Sequence, residues 1–513
     1  MGLGAYFRLI RAGFVLAREG ALSVADNAAL PPVMRGGVRF GRLFERRSIR
    51  TRGPEERLRL ALTRLGPTYV KIGQSLATRP DIVGSAMAAN LSALQDKMEP
   101  FDAALVPGLL KAALGDKAAE ITEISPPIAA ASIAQVHRAV VMRDGTRRDV
   151  AVKILRPHIQ DRFRADLDSQ YAAARLIERV SPPMRRLRPV DVVATLDRSA
   201  RLELDLRLEA ASISEMADNI KDDQGFMIPE VIWDQTAETV LTTSWVDGIP
   251  VRDHATLDAA GLDRKALSKT LLQSFLTHAI RDGFFHADMH QGNLFADPKT
   301  GSIVAVDFGI MGRITRRERR FLAEILYGFI TRNYRRIAEL HFEIGYVPSH
   351  QSVDDFALAL RAIGEPLHGR TVSDISMAKV LGQLFATTEL FDMKARPELV
   401  LLQKSMVLVE GVARELDPEL DIWTVCEPVL GDFVRREAGP LGKLEDLREG
   451  FDETVATVRK LPGLVTRAEA ALDDYDAEKR SPQRGFNRFM FVAGFWLIVV
   501  VALVYLVRVV FNL

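Results

Sequence analysis

Apolar positions recur at three- and four-residue steps through residues 54–98, and Gly66-Pro67 opens a fresh element inside that stretch, so the pattern predicts consecutive helices. Asp96 to Leu110 reads as a connector and a short helix. Over 121–155 the period drops to two. Two β-type runs there flank a turn at Arg143-Asp144-Gly145-Thr146, which predicts a hairpin. Residues 156–180 and 188–218 return to helical spacing, the latter as one long helix. Short β-type runs at 227–233 and 239–246 follow, and Asp247-Gly248 turns the chain. A helix over 264–283 leads into "DGFFHADMHQGNLF", and "SIVAVDFGIMGRI" reads as a strand ending in a loop. Residues 315–440 are almost wholly helical by pattern. A polar stretch, 441–488, precedes an uncharged apolar run over 489–507. There is no fixed-period repeat and no low-complexity tract.

Composition narrows the function classes. Among 513 residues, 68 Lys and Arg nearly cancel 67 Asp and Glu, so no global field favours nucleic acid, which is excluded as a partner. The single cysteine, Cys426, rules out an internal disulfide framework and reads as an inert core thiol in a reducing compartment. The run at 489–507 is long enough for a helix to cross a bilayer core of about 30 Å, with Phe489, Trp496 and Tyr505 as interfacial anchors. Lys479, Arg480, Arg484 and Arg488 precede it and Arg508 follows it. Positive-inside bias therefore predicts a single-pass protein of a bacterial inner membrane with its main body in the cytoplasm. The alternative is a mitochondrial inner membrane. At the other end, Tyr6, Leu9, Ile10 and Phe14 share a helical face, which suits a membrane surface or a plain docking helix.

Chemistry concentrates in four stretches. Val150-Ala151-Val152-Lys153 ends a predicted strand, where kinase folds keep the lysine that holds ATP phosphates. One strand earlier, where such folds carry glycines, stand Ala129, Ala130, Ala131 and Ser132. Alanine resists the φ > 0 backbone that glycine allows, which predicts a stiffer, more helical loop over the nucleotide. Val246, ending the 239–246 run, is counted with these as nucleotide-lining. His286-x-Asp288 followed by Asn293 has the spacing of a phosphotransferase catalytic loop. Asp288 would orient or deprotonate the attacking hydroxyl, and Asn293 would turn an amide oxygen to a metal. Asp307-Phe308-Gly309 follows an apolar run, as a metal-binding aspartate at a strand end does, and magnesium with ATP is the expected cofactor pair. A zinc site from His286, Asp288 and His290 is a competing reading, although it leaves Asn293 and Asp307 unused. Lys153 needs a carboxylate partner, and the 188–218 helix offers Glu203, Asp205 and Glu209. At ~100° per residue Asp205 and Glu209 share a face while Glu203 points elsewhere, so Glu209 is assigned to Lys153 and Glu203 to another element.

Together these stretches predict an α+β, atypical protein-kinase-like, two-lobed fold. Its expected parts are a basic amphipathic region (1–50), a helical extension (51–120), an N-lobe (121–246) and a C-lobe (247–440). A polar helical linker (441–488) and one C-terminal transmembrane helix (489–507) follow. Three signatures resolve the group. "YVKIGQSLATRPDI" holds Lys71-x-Gly73-Gln74, "IAAASIAQVHRA" holds the alanine loop, and "LELDLRLEAA" holds Glu203-x-Asp205. With "HADMHQGN" and "VDFG" the chain closely resembles the UbiB family of atypical kinase-like proteins associated with ubiquinone biosynthesis, over roughly residues 55–345. The resemblance implies an ATP-binding ATPase in which Lys71, Gly73 and Gln74 occlude the protein-substrate side of the cleft, with Lys71 facing Glu203 and Asp205 in the same motif. It also implies isoprenoid quinone precursors, membrane lipid and other quinone-biosynthesis enzymes as partners.

Ser212 and Ile213 follow Ala211 where the family often has Asn, and one apolar C-terminal run stands where bacterial members often have two. No Ala-Pro-Glu or activation loop follows Asp307, which argues against phosphorylation of proteins in trans. A small-molecule phosphotransferase and a nucleotide-binding pseudokinase scaffold for quinone-biosynthesis enzymes remain alternatives.

Overall fold

The computed structural model describes residues 3–21, 40–49, 51–77, 91, 99–143, 145–180, 185, 188–365, 387, 390–393 and 397–438. The chain divides into two compact units, Met1–Arg435 and Arg436–Leu513, and the architecture below is that of the first.

Three helices open it: α1 (Leu3–Arg18), α2 (Pro54–Leu65) and α3 (Pro67–Ala77). Pro54 starts α2, where its missing N–H costs nothing. Gly66 ends α2 at φ +108°, a conformation that glycine alone adopts readily, and Pro67 starts α3. Next come α4 (Val106–Leu114), β1 (Ile121–Thr122), β2 (Pro127–Ala130), β3 (Ala134–Arg143) and β4 (Thr146–Leu155). Arg143 pairs with Thr146, so the hairpin turns tightly, and Gly145 takes φ +73°.

Strand β4 buries every second residue. Val150, Val152 and Ile154 join Val106 and Leu110 of α4 in the small-lobe core, so the alternation turns Lys153 to the opposite face. Helices α5 (Ile159–Val180), α6 (Pro189–Glu203) and α7 (Leu206–Ile220) follow. The single helix expected over 188–218 is thus two. Asp205 takes an extended backbone, φ −116°, and its carboxylate accepts the Arg207 N–H as the N-cap of α7.

The chain then forms β5 (Phe226–Met227), β6 (Val240–Ser244), β7 (Ile249–Pro250), α8 (His254–Ala259) and α9 (Arg264–Thr277). A π-helical turn, His278–Asp282, closes α9. The sequence run 227–233 is mostly irregular, because β5 leaves after two residues to pair with the lower sheet and Pro229 follows. Then come β8 (Phe284–His286), β9 (Leu294–Ala296), β10 (Ile303–Ala305) and β11 (Met311–Arg313). Helices α10 (Arg316–Ile330), α11 (Tyr334–Ile344), α12 (Val353–Gly364), α13 (Pro397–Leu416) and α14 (Ile422–Ala438) complete the described residues.

Among those residues, β3 lies between β4 on one side and β1 and β2 on the other, and β6 pairs with the far edge of β4. A second sheet runs β5-β10-β9-β7, and β11 pairs with β8. The larger core gathers Leu271, Phe275, Phe285, Met289, Phe308 and Val409 beneath the loops that follow β8 and β10. This is a mixed helix-and-sheet kinase-like fold. Cys426 is buried in it, and burial pushes its thiol up to about 12, as an inert core residue requires.

One expectation is corrected. Among the described residues no helix is long and apolar enough to cross a membrane. The two longest, α5 and α13, have 22 and 20 residues, but charges such as Asp161, Arg164, Arg175, Lys404 and Arg414 interrupt both. The linker and apolar run at 441–507 lie outside the described residues, so the transmembrane helix and the single-pass inner-membrane localisation, bacterial or mitochondrial, find no support and are set aside.

Candidate nucleotide and metal site

Lys153 is the hub. Its ammonium donates to Glu209 Oε1 at 2.8 Å, to Glu209 Oε2 at 3.0 Å and to Asp307 Oδ1 at 3.0 Å. Three elements therefore converge on one cation: β4, the first turn of α7, and the loop after β10. Burial works against the ammonium, but Asp307 and Glu209 together hold its pKa well above the usual lysine range. Burial likewise pushes Asp307 up, and Lys153 overrides it, leaving the carboxyl well below its ordinary value. Glu209 is raised by burial, with Lys153 opposing.

Asp307 sits at φ +64°, unusual for a non-glycine residue, and its Oδ1 also accepts the Gly309 N–H at 3.3 Å. The residues of the 286–293 loop are braced against the segment that leads into Asp307. His286 Nδ1 accepts the Asp288 N–H at 3.1 Å, and its Nε2 lies 3.4 Å from the Val306 carbonyl, which fixes the Nε2–H tautomer. Burial lowers the His286 pKa, so the ring is neutral near pH 7. Asn293 donates its amide N–H to the Asp288 carbonyl at 3.1 Å, which turns its side-chain oxygen the other way. The oxygen of the buried Asn293 together with an ionised Asp307 is a hard-oxygen donor set that suits magnesium. The zinc reading does not fit. His286 has both ring nitrogens engaged within the fold, and among the described residues no group of three His, Cys, Asp or Glu side chains could hold a metal.

The remaining sequence candidates are spread over α3, α6, β2 and the end of β6. Lys71 on α3 lies 2.9 Å from Glu203 at the end of α6, and its charge also lowers the Asp307 pKa, so α3 stands close to Asp307. Gly73 is buried and Gln74 half-buried on the same helix. Asp205 is not brought to Lys71, because its carboxylate is spent on the Arg207 backbone and guanidinium. Ala129 and Ala130 lie in β2 paired with β3, and Ala131 and Ser132 form the turn between them. None of these four takes a positive φ. Ala129 and Ala130 are therefore extended, not helical as alanine content had suggested, because pairing with β3 overrides the helix preference of alanine. Val246 lies half-buried just beyond β6.

Residues 93–341 match the model of the ABC1 atypical kinase-like domain, and residues 360–421 match the UbiB helical domain. A Xanthomonas axonopodis pv. citri protein named "Probable protein kinase UbiB" is 42% identical over 418 residues, 80% of this chain and 75% of that one. A Xylella fastidiosa protein of the same name is 39% identical over 469 residues, 90% of this chain and 84% of the other. The chain belongs to the UbiB family. A solved Mycobacterium tuberculosis protein, determined as a complex with erythromycin, shares the fold at a TM-score of 0.50 and 25% identity, covering 73% of this chain and 94% of its own.

The UbiB helical domain contributes to the site in a way that no motif announced. Helix α13 lies against the catalytic loop, where the fully buried Ser405 donates to the Ala287 carbonyl at 3.1 Å, one residue before Asp288. Next to it, Lys404 is lowered by burial and drawn back up by the charge of Asp288. Gln291 also bonds to Glu415 of α13. Ser405 and Ala287 are 118 residues apart, so no local pattern could pair them.

Proposed function

We propose that this UbiB-family chain is a Mg-ATP-dependent atypical kinase-like enzyme, an ATPase or phosphotransferase, that supports ubiquinone biosynthesis alongside the enzymes handling its hydrophobic precursors. The observation that carries this reading is the triple coordination of Lys153 by Glu209 and Asp307. That lysine–glutamate pair and that aspartate must both be in place for phosphoryl transfer, since catalysis there is mostly positioning and charge stabilisation.

Asn293 and Asp307 would hold a magnesium ion, which would supply positive charge to offset that developing on the phosphates. Lys153 orients the phosphates, Asp288 orients the attacking water or hydroxyl, and His286 holds the Asp288 backbone in place through its Nδ1. Phosphorylation of proteins in trans is disfavoured by two features. Strand β11 starts four residues after Asp307 and leads at once to the Thr315–Glu318 capping box of α10, with no peptide-binding platform between. Helix α3 is also tied by Lys71 to Glu203 beside the cleft.

The test is magnesium-dependent ATP hydrolysis by the purified full chain, with and without a phenolic quinone precursor. Hydrolysis that falls about 100-fold or more in Asp307→Asn supports the reading, by analogy with the loss of a group acting on transition-state charge. No hydrolysis in wild type, or equal hydrolysis in the variant, removes it. Quinone content of a deletion strain complemented with Asp288→Asn tests the pathway.

A further inference from the structure

The alanine loop is fastened from behind. Arg156, the first residue after β4, directs Nε and Nη2 to a single acceptor, the Ala131 carbonyl, at 3.1 and 2.9 Å. The same Nη2 reaches the Glu99 carbonyl at 2.8 Å, and the Arg156 backbone N–H donates to Ile133 O at 2.8 Å. Two residues beyond Glu99, the Phe101 N–H donates to Gln135 Oε1 at 3.0 Å. Gln135 and His137 are both fully buried, 2.9 Å apart, and His137 Nδ1 lies 2.8 Å from the Ser125 carbonyl. The directions follow by elimination. Gln135 Oε1 accepts from Phe101, so its amide donates to His137 Nε2, and His137 Nδ1–H donates to Ser125 O. Segment 99–101 is thus pinned to both sides of the loop, by Arg156 at its turn and by Gln135 at the start of β3.

We propose that Arg156 is a positioning residue for the nucleotide: its guanidinium fixes the turn of the alanine loop through the Ala131 carbonyl and ties it to the segment entering from the helical extension. A glycine loop folds over phosphates by visiting φ > 0 as the ligand demands. A loop of alanines in extended conformation lacks that freedom and has to be preset. The planar fork of arginine holds two neighbouring carbonyls at once, which a lysine ammonium on its flexible stem does less rigidly.

This inference rests on the nucleotide-binding reading above, and binding rather than turnover tests it. Full-length wild type, Arg156→Met and Arg156→Lys would be titrated with Mg·mant-ADP, and backbone exchange followed over 127–134 and 146–155. Arg156→Met is expected to weaken binding about tenfold, the equivalent of one hydrogen bond to a charged group, with Arg156→Lys between it and wild type. Exchange should quicken over 127–134 and hold over 146–155. Equal affinity in wild type and Arg156→Met overturns the assignment. Should Arg156→Met fail to fold, Arg156→Lys decides: weaker binding with unchanged melting temperature upholds the positioning role, and wild-type affinity ends it. A loss of exchange protection spread through both segments also overturns it, since that marks a merely structural tie. Absence of Mg·mant-ADP binding in wild type would instead remove the nucleotide-binding reading itself, a distinct outcome.

Discussion

Replacing Glu209 with Gln probes the hub most directly. The side chains of Lys153 and Glu209 are 16% and 8% exposed, which puts the pair in the buried regime rather than among surface ion pairs worth ~0–1 kcal/mol. All three ammonium donors are used, two on Glu209 and one on Asp307. Glutamine keeps the shape and one acceptor, removes the charge, and turns an NH2 group toward the ammonium. One hydrogen bond to a charged group, about 1.5–3 kcal/mol, is therefore lost. Lys153 then leans on Asp307 and away from the phosphates, so kcat/KM for Mg-dependent ATP hydrolysis should fall roughly 10- to 150-fold. Folding should suffer less. Stripping a buried charge of its whole partner costs about 3–5 kcal/mol, but Asp307 still pairs with Lys153, so about 1–2 kcal/mol is expected. The assay is steady-state hydrolysis beside a melting curve. Wild-type kcat/KM in Glu209→Gln would refute the reasoning, as would unfolding without any specific loss in the folded fraction.

Three further outcomes follow from the same geometry. Glu203→Gln weakens the 2.9 Å pair with Lys71, so trypsin should cut after Lys71 faster than in wild type; an equal rate denies that the pair anchors α3. His278, whose Nε2 lies 3.5 Å from the carboxylate, and the guanidinium of Arg281 hold Asp223 well below the usual carboxylate range, so its stabilisation is present above about pH 4 and lost as pH falls through the folded value. Asp223→Asn should therefore melt lower than wild type at pH 7 and converge with it in acid, and a constant gap would contradict the pairing. His286 has a lowered pKa, so the native state takes up fewer protons than the unfolded chain, and stability should fall as pH drops below about 6.5. His286→Asn, which can still accept the Asp288 N–H, should flatten that limb of the melting profile; an unchanged limb assigns it to other groups.

The chemistry was legible because it lies in local spacing. Period-two burial in β4 turned Lys153 away from the core, and the short steps from His286 to Asn293 and from Val306 to Gly309 set the loops. What was not legible has two causes. The first is competition between equal local preferences. "LELDLRLEAAS" continues as a helix by propensity, yet Asp205 is also a good N-cap, and pairing of the Leu206 N–H with the Glu238 carbonyl fits the break. The alanines of the phosphate loop favour helix until β3 recruits them as a strand. The second is sequence distance. Ser405 on the Ala287 carbonyl and Arg156 on the Glu99 carbonyl both join side chain to backbone, and a backbone acceptor leaves no residue-type signature at its end.

The charges around Asp307 alternate: Glu203, Lys71, Asp307, Lys153 and Glu209, running from α6 through α3 and the loop after β10 to α7. A divalent cation arriving by itself would have to take the Asp307 carboxylate from Lys153 while Lys71 repels it, leaving one ammonium donor without an acceptor. Nucleotide arriving by itself would bring phosphates close to Asp307 and Glu209. Were both to arrive together, Asp307 would be free to hold the metal while the phosphates replaced it on Lys153, so every charge would keep a partner. Magnesium and nucleotide should therefore bind with positive coupling of about 1–3 kcal/mol, each tightening the other about 5- to 150-fold by the same factor. Calorimetric titration of magnesium with and without saturating ADP measures it, once the affinity of free ADP for magnesium is subtracted. In Lys153→Met, where Asp307 is no longer held, magnesium by itself should bind more tightly than to wild type and the coupling should shrink. Equal magnesium affinity with and without nucleotide in wild type would show that Lys153 does not compete for Asp307.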